Sequence, residues 1–200
     1  MFSKFKLAID KDIKMSPELW TQLQEFGKIR HLKKNEYLLK AGQVCQHGYF
    51  INSGSLVQTF LNQNGKEIVQ GFYIDEVYAF LSSVTSYFSE EISDFQIKAI
   101  ENCEVIEYSK PQMDYLTDNF QEFALLFHII TARSFQYLYM FSAMRLSLNA
   151  EDFLLFLYNQ HPVYMRRIPD KYIAQFMGVS KEWLSKLKKK IFKNNSQQHQ

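Results

Sequence analysis

The stretch Asp170–Lys190, "DKYIAQFMGVSKEWLSKLKKK", decides how this chain is read. It predicts two short helices joined by a tight turn. Ala174 falls where the helices would cross, and only a small side chain lets two backbones approach there. Gly178 falls at the turn, where a positive φ is easiest for glycine. Ser180 follows at the N-cap of the second helix, its hydroxyl facing a free backbone N–H. Ile173, Met177, Val179, Leu184 and Leu187 take the positions that pack the pair together. A small residue, a glycine, a cap and five apolar side chains in register point to a helix-turn-helix.

The second helix divides into faces. At about 100° per residue, Trp183, Leu184, Leu187 and Ile191 are predicted to turn inward. Lys181, Glu182, Ser185, Lys186 and Lys189 lie opposite, flanked by Lys188 and Lys190. The polar side suits a DNA major groove. A carboxylate accepts from cytosine N4, and a lysine donates to guanine O6 or N7. Lys181, Glu182, Ser185, Lys186 and Lys189 are therefore the expected base-reading residues. Lys171, Ser180, Lys188, Lys190 and Lys193 are the expected phosphate contacts, which position a protein without reading sequence. Two plainer readings stay open: a solvated lysine face, and a Glu182 that simply complements a helix N-terminus.

Charge distribution supports an anionic partner for this end alone. The chain has 23 Lys and Arg against 21 Asp and Glu, a net of +2. From Arg166 to Lys193 there are nine cations against Asp170 and Glu182, a net of +7, which leaves −5 for the remainder. A basic segment on an acidic body is the pattern of a polyanion binder. Cys45 and Cys103 are the two cysteines, too few for a disulfide framework or a zinc site. The five histidines are scattered without metal spacing, so neither a metal nor a cofactor is expected. MFSKFKLAIDK at the N-terminus does not read as a secretory leader. Phe123–Met144 is apolar, but Arg133 and several polar residues interrupt it, so a membrane span is not expected. A cytoplasmic location follows as the default.

The chain changes period once. Ser16-Pro17-Glu18 predicts a helix start, with Leu19, Trp20, Leu23 and Phe26 on one face and Gly27 at its end. From about Arg30 short apolar runs alternate with turn signals. Strands are predicted at Tyr37–Leu39, Tyr49–Ile51, Ser55–Leu61, Glu67–Ile74, Phe95–Glu101 and Glu104–Tyr108. Cys45 and Cys103 both fall in apparent strand segments. Asn64-Gly65 predicts a hairpin turn between two of the strands. This spacing implies a β-roll or sandwich. From Pro111 to about Met144 the spacing becomes helical, without proline or glycine. One helix of that length spans roughly 50 Å. A small roll cannot cover it alone, so a homodimer through this helix is expected. A further helix, Asp152 to about Gln160, is predicted to stop at Pro162.

The order of roll, long helix and helix-turn-helix resembles the Crp/Fnr family of bacterial transcription regulators. Three stretches carry the resemblance: Tyr49-Phe50-Ile51-Asn52-Ser53-Gly54-Ser55-Leu56, Asn64-Gly65-Lys66-Glu67-Ile68, and Ile173 to Lys186. It implies an α+β protein with a cyclic-nucleotide-binding-like jelly roll at residues 1–110. A dimerisation helix follows at 111–147, and a winged helix-turn-helix at 148–200 whose wing is reduced. It also implies double-stranded DNA with a palindromic operator as partner, and makes RNA polymerase a further candidate. In many members the readers are Arg-Glu and a second Arg four residues later. Lys181, Glu182 and Lys186 stand in those places, and lysine is a point donor rather than a fork.

The ligand site departs further. Members that bind a cyclic nucleotide carry a Gly-Glu pair and then Arg-Ser/Thr-Ala. Here Ala79-Phe80 and Ser93-Asp94 align with those positions. Between Lys66 and Lys98 there is no Lys, Arg or His, while Glu67, Asp75, Glu76, Glu90, Glu91 and Asp94 all fall there. A cyclic phosphate would meet no side-chain cation, so a cyclic nucleotide is not the expected ligand. No G-x-S-x-G, P-loop, G-x-G-x-x-G or H-E-x-x-H occurs, so neither an enzyme nor a catalytic residue is expected. The competing interpretation is a regulatory or scaffold subunit whose basic segment binds something other than DNA.

Overall fold

The computed structural model describes residues 2–77 and 79–197, with the backbone alone for 192–197. Two helices, α1 (Ser3–Ile9) and α2 (Pro17–Phe26), precede the roll. The Ser16 hydroxyl caps α2 by accepting from the Leu19 N–H at 3.2 Å. Eight strands follow: β1 (Lys28–Leu32), β2 (Tyr37–Leu39), β3 (His47–Ser53), β4 (Ser55–Leu61), β5 (Glu67–Ile74), β6 (Phe80–Leu81), β7 (Phe95–Ala99) and β8 (Cys103–Ser109). A short helix, α3 (Val84–Ser89), lies between β6 and β7. The strands form two antiparallel four-stranded sheets, ordered β1-β8-β3-β6 and β2-β7-β4-β5. All six predicted strands are present. The Asn64-Gly65 turn closes β4 onto β5, with Asn62 Oδ1 accepting from the Asn64 and Lys66 N–H groups.

Gly54 is the corner of the roll. It alone separates β3, in one sheet, from β4, in the other. Its φ is +103°, a conformation that L side chains rarely adopt. Ile51, Leu56, Ile97 and Val105 fill the core between the sheets. Cys103 opens β8, whereas Cys45 lies in the loop before β3; both are buried free thiols. The first core face of the roll is closed by α1 and α2. There Phe5, Ile9, Leu19 and Leu23 meet Phe50, Ile106 and Tyr108, and the buried Tyr108 hydroxyl donates to the Leu23 carbonyl.

The single long helix expected from Pro111 is two helices: α4 (Lys110–Asn119) and α5 (Gln121–Ser147). Phe120 is extended, with φ −129° and ψ 105°, and breaks the ladder. Thr117, Asp118 and Asn119 before it favour local hydrogen bonds over helix interior, and the Asn119 amide donates back to the Tyr115 carbonyl. Phe120 itself packs against the apolar cluster of α1 and α2. Apolar spacing runs unbroken through this point, which is why periodicity alone misses the break.

Four more helices follow among the described residues: α6 (Ala150–Gln160), α7 (Pro162–Arg167), α8 (Asp170–Met177) and α9 (Lys181–Gln197). Pro162 does end α6, but it also opens α7 at a position where its missing N–H costs nothing. Among the described residues no strand follows Ser109, so the segment expected to hold a reduced wing is helical as far as Gln197. Phe141 of α5, Phe153 of α6, Tyr164 of α7 and Phe176 of α8 form one core with Val57, Val69, Phe72 and Ile74 of the roll. The C-terminal helices are therefore docked on the roll through β4 and β5.

Candidate nucleic-acid interface

The predicted turn is formed at Gly178. It closes α8 with φ +71°, and its N–H reaches the Ala174 and Gln175 carbonyls. The Val179 N–H then bonds to Ala174 O at 2.9 Å. Together these give the paired bonds of a left-handed helix C-cap. Ala174 is buried in one cluster with Leu184 and Leu187 of the second helix, where a small side chain lets the backbones approach. The Ser180 hydroxyl accepts from the Trp183 N–H at 3.1 Å and caps α9. Ile173, Leu184, Leu187 and Ile191 are buried in one cluster, with Met177 and Val179 packed on it.

Trp183 corrects the helical wheel. Half of it is exposed (50%), not inward. It stands about 70° round α9 from the mean direction of Leu184, Leu187 and Ile191, at 3.6 residues per turn. The narrow stripe of those three residues suffices to seat α9 on α8.

The five proposed base readers, Lys181, Glu182, Ser185, Lys186 and Lys189, are all exposed on α9. Among the described residues no ion pair engages Lys181, Lys186 or Lys189. The Glu182 carboxyl is held below the usual carboxylate range, first by a backbone N–H at the helix start, then by Ser180 and Lys181. It is thus an anion at neutral pH, with part of its acceptor capacity spent locally.

The proposed phosphate contacts are placed less uniformly. Lys171 is exposed, its ammonium 4.4 Å from the Tyr172 ring centre. Lys188 bonds to Asp170 and is half-buried, and Lys190 bonds to Glu151. Either lysine must leave a carboxylate to reach a phosphate. The side chain of Lys193 lies outside the described residues. Arg166 and Arg167, counted in the basic segment, are spent on the roll: Arg167 bonds to Asp75, Glu76 and Glu101, and Arg166 to Glu76. Sequence cannot reveal those partners, which stand 66 to 92 positions away.

The positions aligned with a cyclic-nucleotide site, Ala79-Phe80 and Ser93-Asp94, carry no cation. Ser93, aligned with a phosphate-binding position, is buried and spends its hydroxyl on Ser83 at 2.7 Å and on the Phe95 backbone. Ala79 and Phe80 contribute apolar surface to the cluster of α1 and α2. Among the described residues no group of three or more His, Cys, Asp or Glu could hold a metal ion. No described helix is long and apolar enough to cross a membrane.

His161 marks the joint between α6 and α7. Its ring stacks on Tyr164 at 5.4 Å and lies 4.8 Å from Phe141 and 5.4 Å from Phe156. Nε2 is buried without a hydrogen-bond partner. Burial lowers the pKa of the imidazole below its ordinary 6.5. The unfolded chain therefore takes up a proton near pH 6.5, and the folded chain only further down. Across that window the unfolded state binds more protons, so stability falls as pH falls. Thermal unfolding from pH 8 to 5 should show this loss, and His161→Phe should flatten it by up to one proton, about 1.4 kcal/mol per pH unit at most. An unchanged slope in the variant would remove His161 as the cause.

Comparison with known proteins agrees with this architecture. Residues 29–120 match the family described as cyclic nucleotide-binding domain. No curated protein matches the chain by sequence. Among solved structures, the c-di-GMP-responsive global regulator CLP of Xanthomonas campestris is similar at 14% identity, with 90% of this chain and 93% of that one covered and a TM-score of 0.68. FixK2 of Bradyrhizobium japonicum aligns at 13% identity over 84% of this chain and 86% of its own, with a TM-score of 0.69. A crp/fnr-family protein of Eubacterium rectale aligns at 14% identity over 86% and 82%, with a TM-score of 0.66. At such identities the likeness is one of fold. The fold so defined is a β-roll like that of cyclic nucleotide-binding domains, joined by a long helix to a helix-turn-helix. The chain has the fold of the Crp/Fnr transcriptional regulators.

Proposed function

We propose that the chain is a sequence-specific DNA-binding transcriptional regulator. In this reading residues 1–110 are the sensor, 111–147 join two copies, and 148–200 bind DNA. One observation carries it: α9, capped by Ser180, presents Lys181, Glu182, Ser185, Lys186 and Lys189 on an exposed face. A nonspecific basic patch gains nothing from a carboxylate among its lysines, whereas a base-reading helix does. Lys171, Lys188, Lys190 and Lys193 would then meet phosphates, with Lys188 and Lys190 exchanging Asp170 and Glu151 for DNA. Dimerisation through α5 is supported by its unpartnered apolar side, where Phe135 is 67% and Leu146 90% exposed. Two copies would set their recognition helices into successive major grooves about 34 Å apart.

The sensor, in this reading, does not take a cyclic nucleotide, because the stretch from Glu67 to Ile97 holds carboxylates and no cation. A duplex selected from a random pool, used in gel shifts, tests the assignment. Lys181→Ala with Lys186→Ala should lower affinity for that duplex by about thirtyfold or more, two base contacts being lost at about 1–3 kcal/mol each, and remove its advantage over random DNA. Binding should also weaken steeply with salt. A steep salt slope without any sequence preference would instead mark a general polyanion binder.

A further inference from the structure

A cavity of about 360 Å3 lies between the roll, α3 and α5, and reaches α8. Its size is that of a small-molecule pocket, about 300–1,000 Å3. Tyr49, Phe50, Leu81 and Tyr87 are buried in its wall on the roll side, and Phe123 and Leu126 on the α5 side. None of the described residues lining it is Asp, Glu, Lys, Arg or His. A buried charge without a partner is costly, so this lining selects against any ion. Lys110 stands 5.8 Å from the Tyr87 ring centre but is not part of the wall, and it is already paired with Glu90 and Asp114.

Gln58, Gln70, Ser82, Thr131, Ser134 and several tyrosine hydroxyls interrupt the apolar lining, and two of these groups bear on a guest. Gln58 accepts from the Tyr73 hydroxyl through its Oε1 at 2.8 Å, which leaves its amide N–H2 as a donor. The Tyr87 hydroxyl is buried with no hydrogen-bond partner among the described residues, a state that a native interior seldom tolerates without a ligand or water. At the far end, Phe72, Phe141 and Phe176 line the same cavity. Phe176 belongs to α8, the first helix of the helix-turn-helix, and its ring lies 5.2 Å from Phe72 of β5.

We infer that this cavity binds an uncharged, largely apolar molecule, oriented through the Tyr87 hydroxyl and the Gln58 amide, and that its occupancy governs how α8 docks on the roll. The inference rests on reading the roll as a sensor and the C-terminal helices as its output. The side chains that pin α8 to β5 are also cavity walls, so a guest changes their packing directly. A ligand that fits the docked arrangement better than an undocked one shifts the balance between them by its differential affinity.

Gly71 supplies a clean probe. It lines the cavity, its φ is ordinary, and a Cβ there would meet no atom within 4 Å. Gly71→Leu therefore occupies the cavity from the sheet side, and Ser134→Phe occupies it from α5. Titration of the full chain with N-phenyl-1-naphthylamine, an uncharged apolar dye, should show saturable emission enhancement at one dye per chain. Each folded variant should weaken dye binding at least tenfold. 1-Decanol should displace the dye, and cyclic AMP should not. Absence of dye binding, equal binding by both folded variants, or displacement by cyclic AMP alone would overturn the inference; equal binding would place the dye on the exposed side of α5. Circular dichroism and thermal midpoints identify the folded variants. Gel shifts on the same proteins, with and without decanol, form the separate arm. Loss of duplex binding in every sample with dye binding intact would sink the DNA reading and leave the cavity assignment standing.

Discussion

Gly54→Ala should destabilise the chain more than any other glycine-to-alanine change at the positive-φ positions. At that corner the backbone has φ +103°, and an added Cβ would stand 2.5 Å from Cys103 Sγ, 2.9 Å from Asn102 O and 3.0 Å from Cys103 Cα. Two of those three neighbours are backbone and cannot swing away. Backbone strain of about 1–3 kcal/mol adds to overpacking of about 1–3 kcal/mol, giving a loss of about 3–5 kcal/mol. At about 2–4 °C per kcal/mol for a chain of this size, the thermal midpoint should fall by roughly 6–20 °C. Gly65→Ala and Gly178→Ala provide the internal comparison. Both positions have φ +71°, but neither would place a Cβ within 4 Å of another atom, so each should cost only about 1–2 kcal/mol of left-handed strain. Equal losses at all three would mean that the collision with β8 is relieved and that strain alone operates.

That corner also shows what could be read in advance. Tyr49–Leu56 was legible as a strand, a glycine and a second strand, because local preference and alternation agree there. The reason for the glycine, the approach of Asn102 and Cys103 from β8, involves residues nearly fifty positions away. The helix-turn-helix was legible for similar reasons: Gly178 and Ser180 do their work within one turn of chain, and Ala174 packs on the helix that follows directly. Trp183 was misplaced because a wheel treats a flank as part of a face, and only the width of the α8 surface decides where the face ends. The break at Phe120 was hidden by apolar spacing that continues through it. The α1 helix passed unread, since Phe5 and Ile9 acquire their meaning only against Phe50 and Tyr108. The cavity was least legible of all, with walls drawn from Phe5 to Phe176.

Arg167→Met should loosen the C-terminal helices from the roll while leaving the roll folded. The Arg167 guanidinium donates to Asp75, Glu76 and Glu101, and Glu101 also accepts from the Ser55 hydroxyl beside the Gly54 corner at 2.6 Å. One cation thus ties α7 to the end of β5 and to the turn that joins the two sheets. Burial alone would lower the Arg167 pKa, but its hydrogen bonds to Asp75, Glu101 and Glu76 outweigh that and raise it. Methionine keeps much of the apolar stem and removes the charge, leaving Asp75, 10% exposed, with Lys4 at 3.4 Å as its one ionic partner among the described residues. Removing one member of a buried ion pair costs about 3–5 kcal/mol; for a network with partly exposed members about 2 kcal/mol is expected. Arg166→Met is the control, since that side chain is 63% exposed and among the described residues pairs with Glu76 alone, a surface pair that contributes little. Acid should expose the same difference. Arg167, then Arg166, holds the Glu76 carboxyl below its usual range. Its stabilising share is therefore present above the unfolded carboxylate pKa, about 4.3, and is lost as pH falls through the lower folded value. The Arg167→Met protein should lose less stability than wild type over that acid window. Hydrogen exchange locates the effect: amides of α6 to α8 should exchange faster in Arg167→Met, with β3 and β8 unchanged. Uniform acceleration across both sheets would instead assign Arg167 to the stability of the roll itself and detach it from the docking of α8.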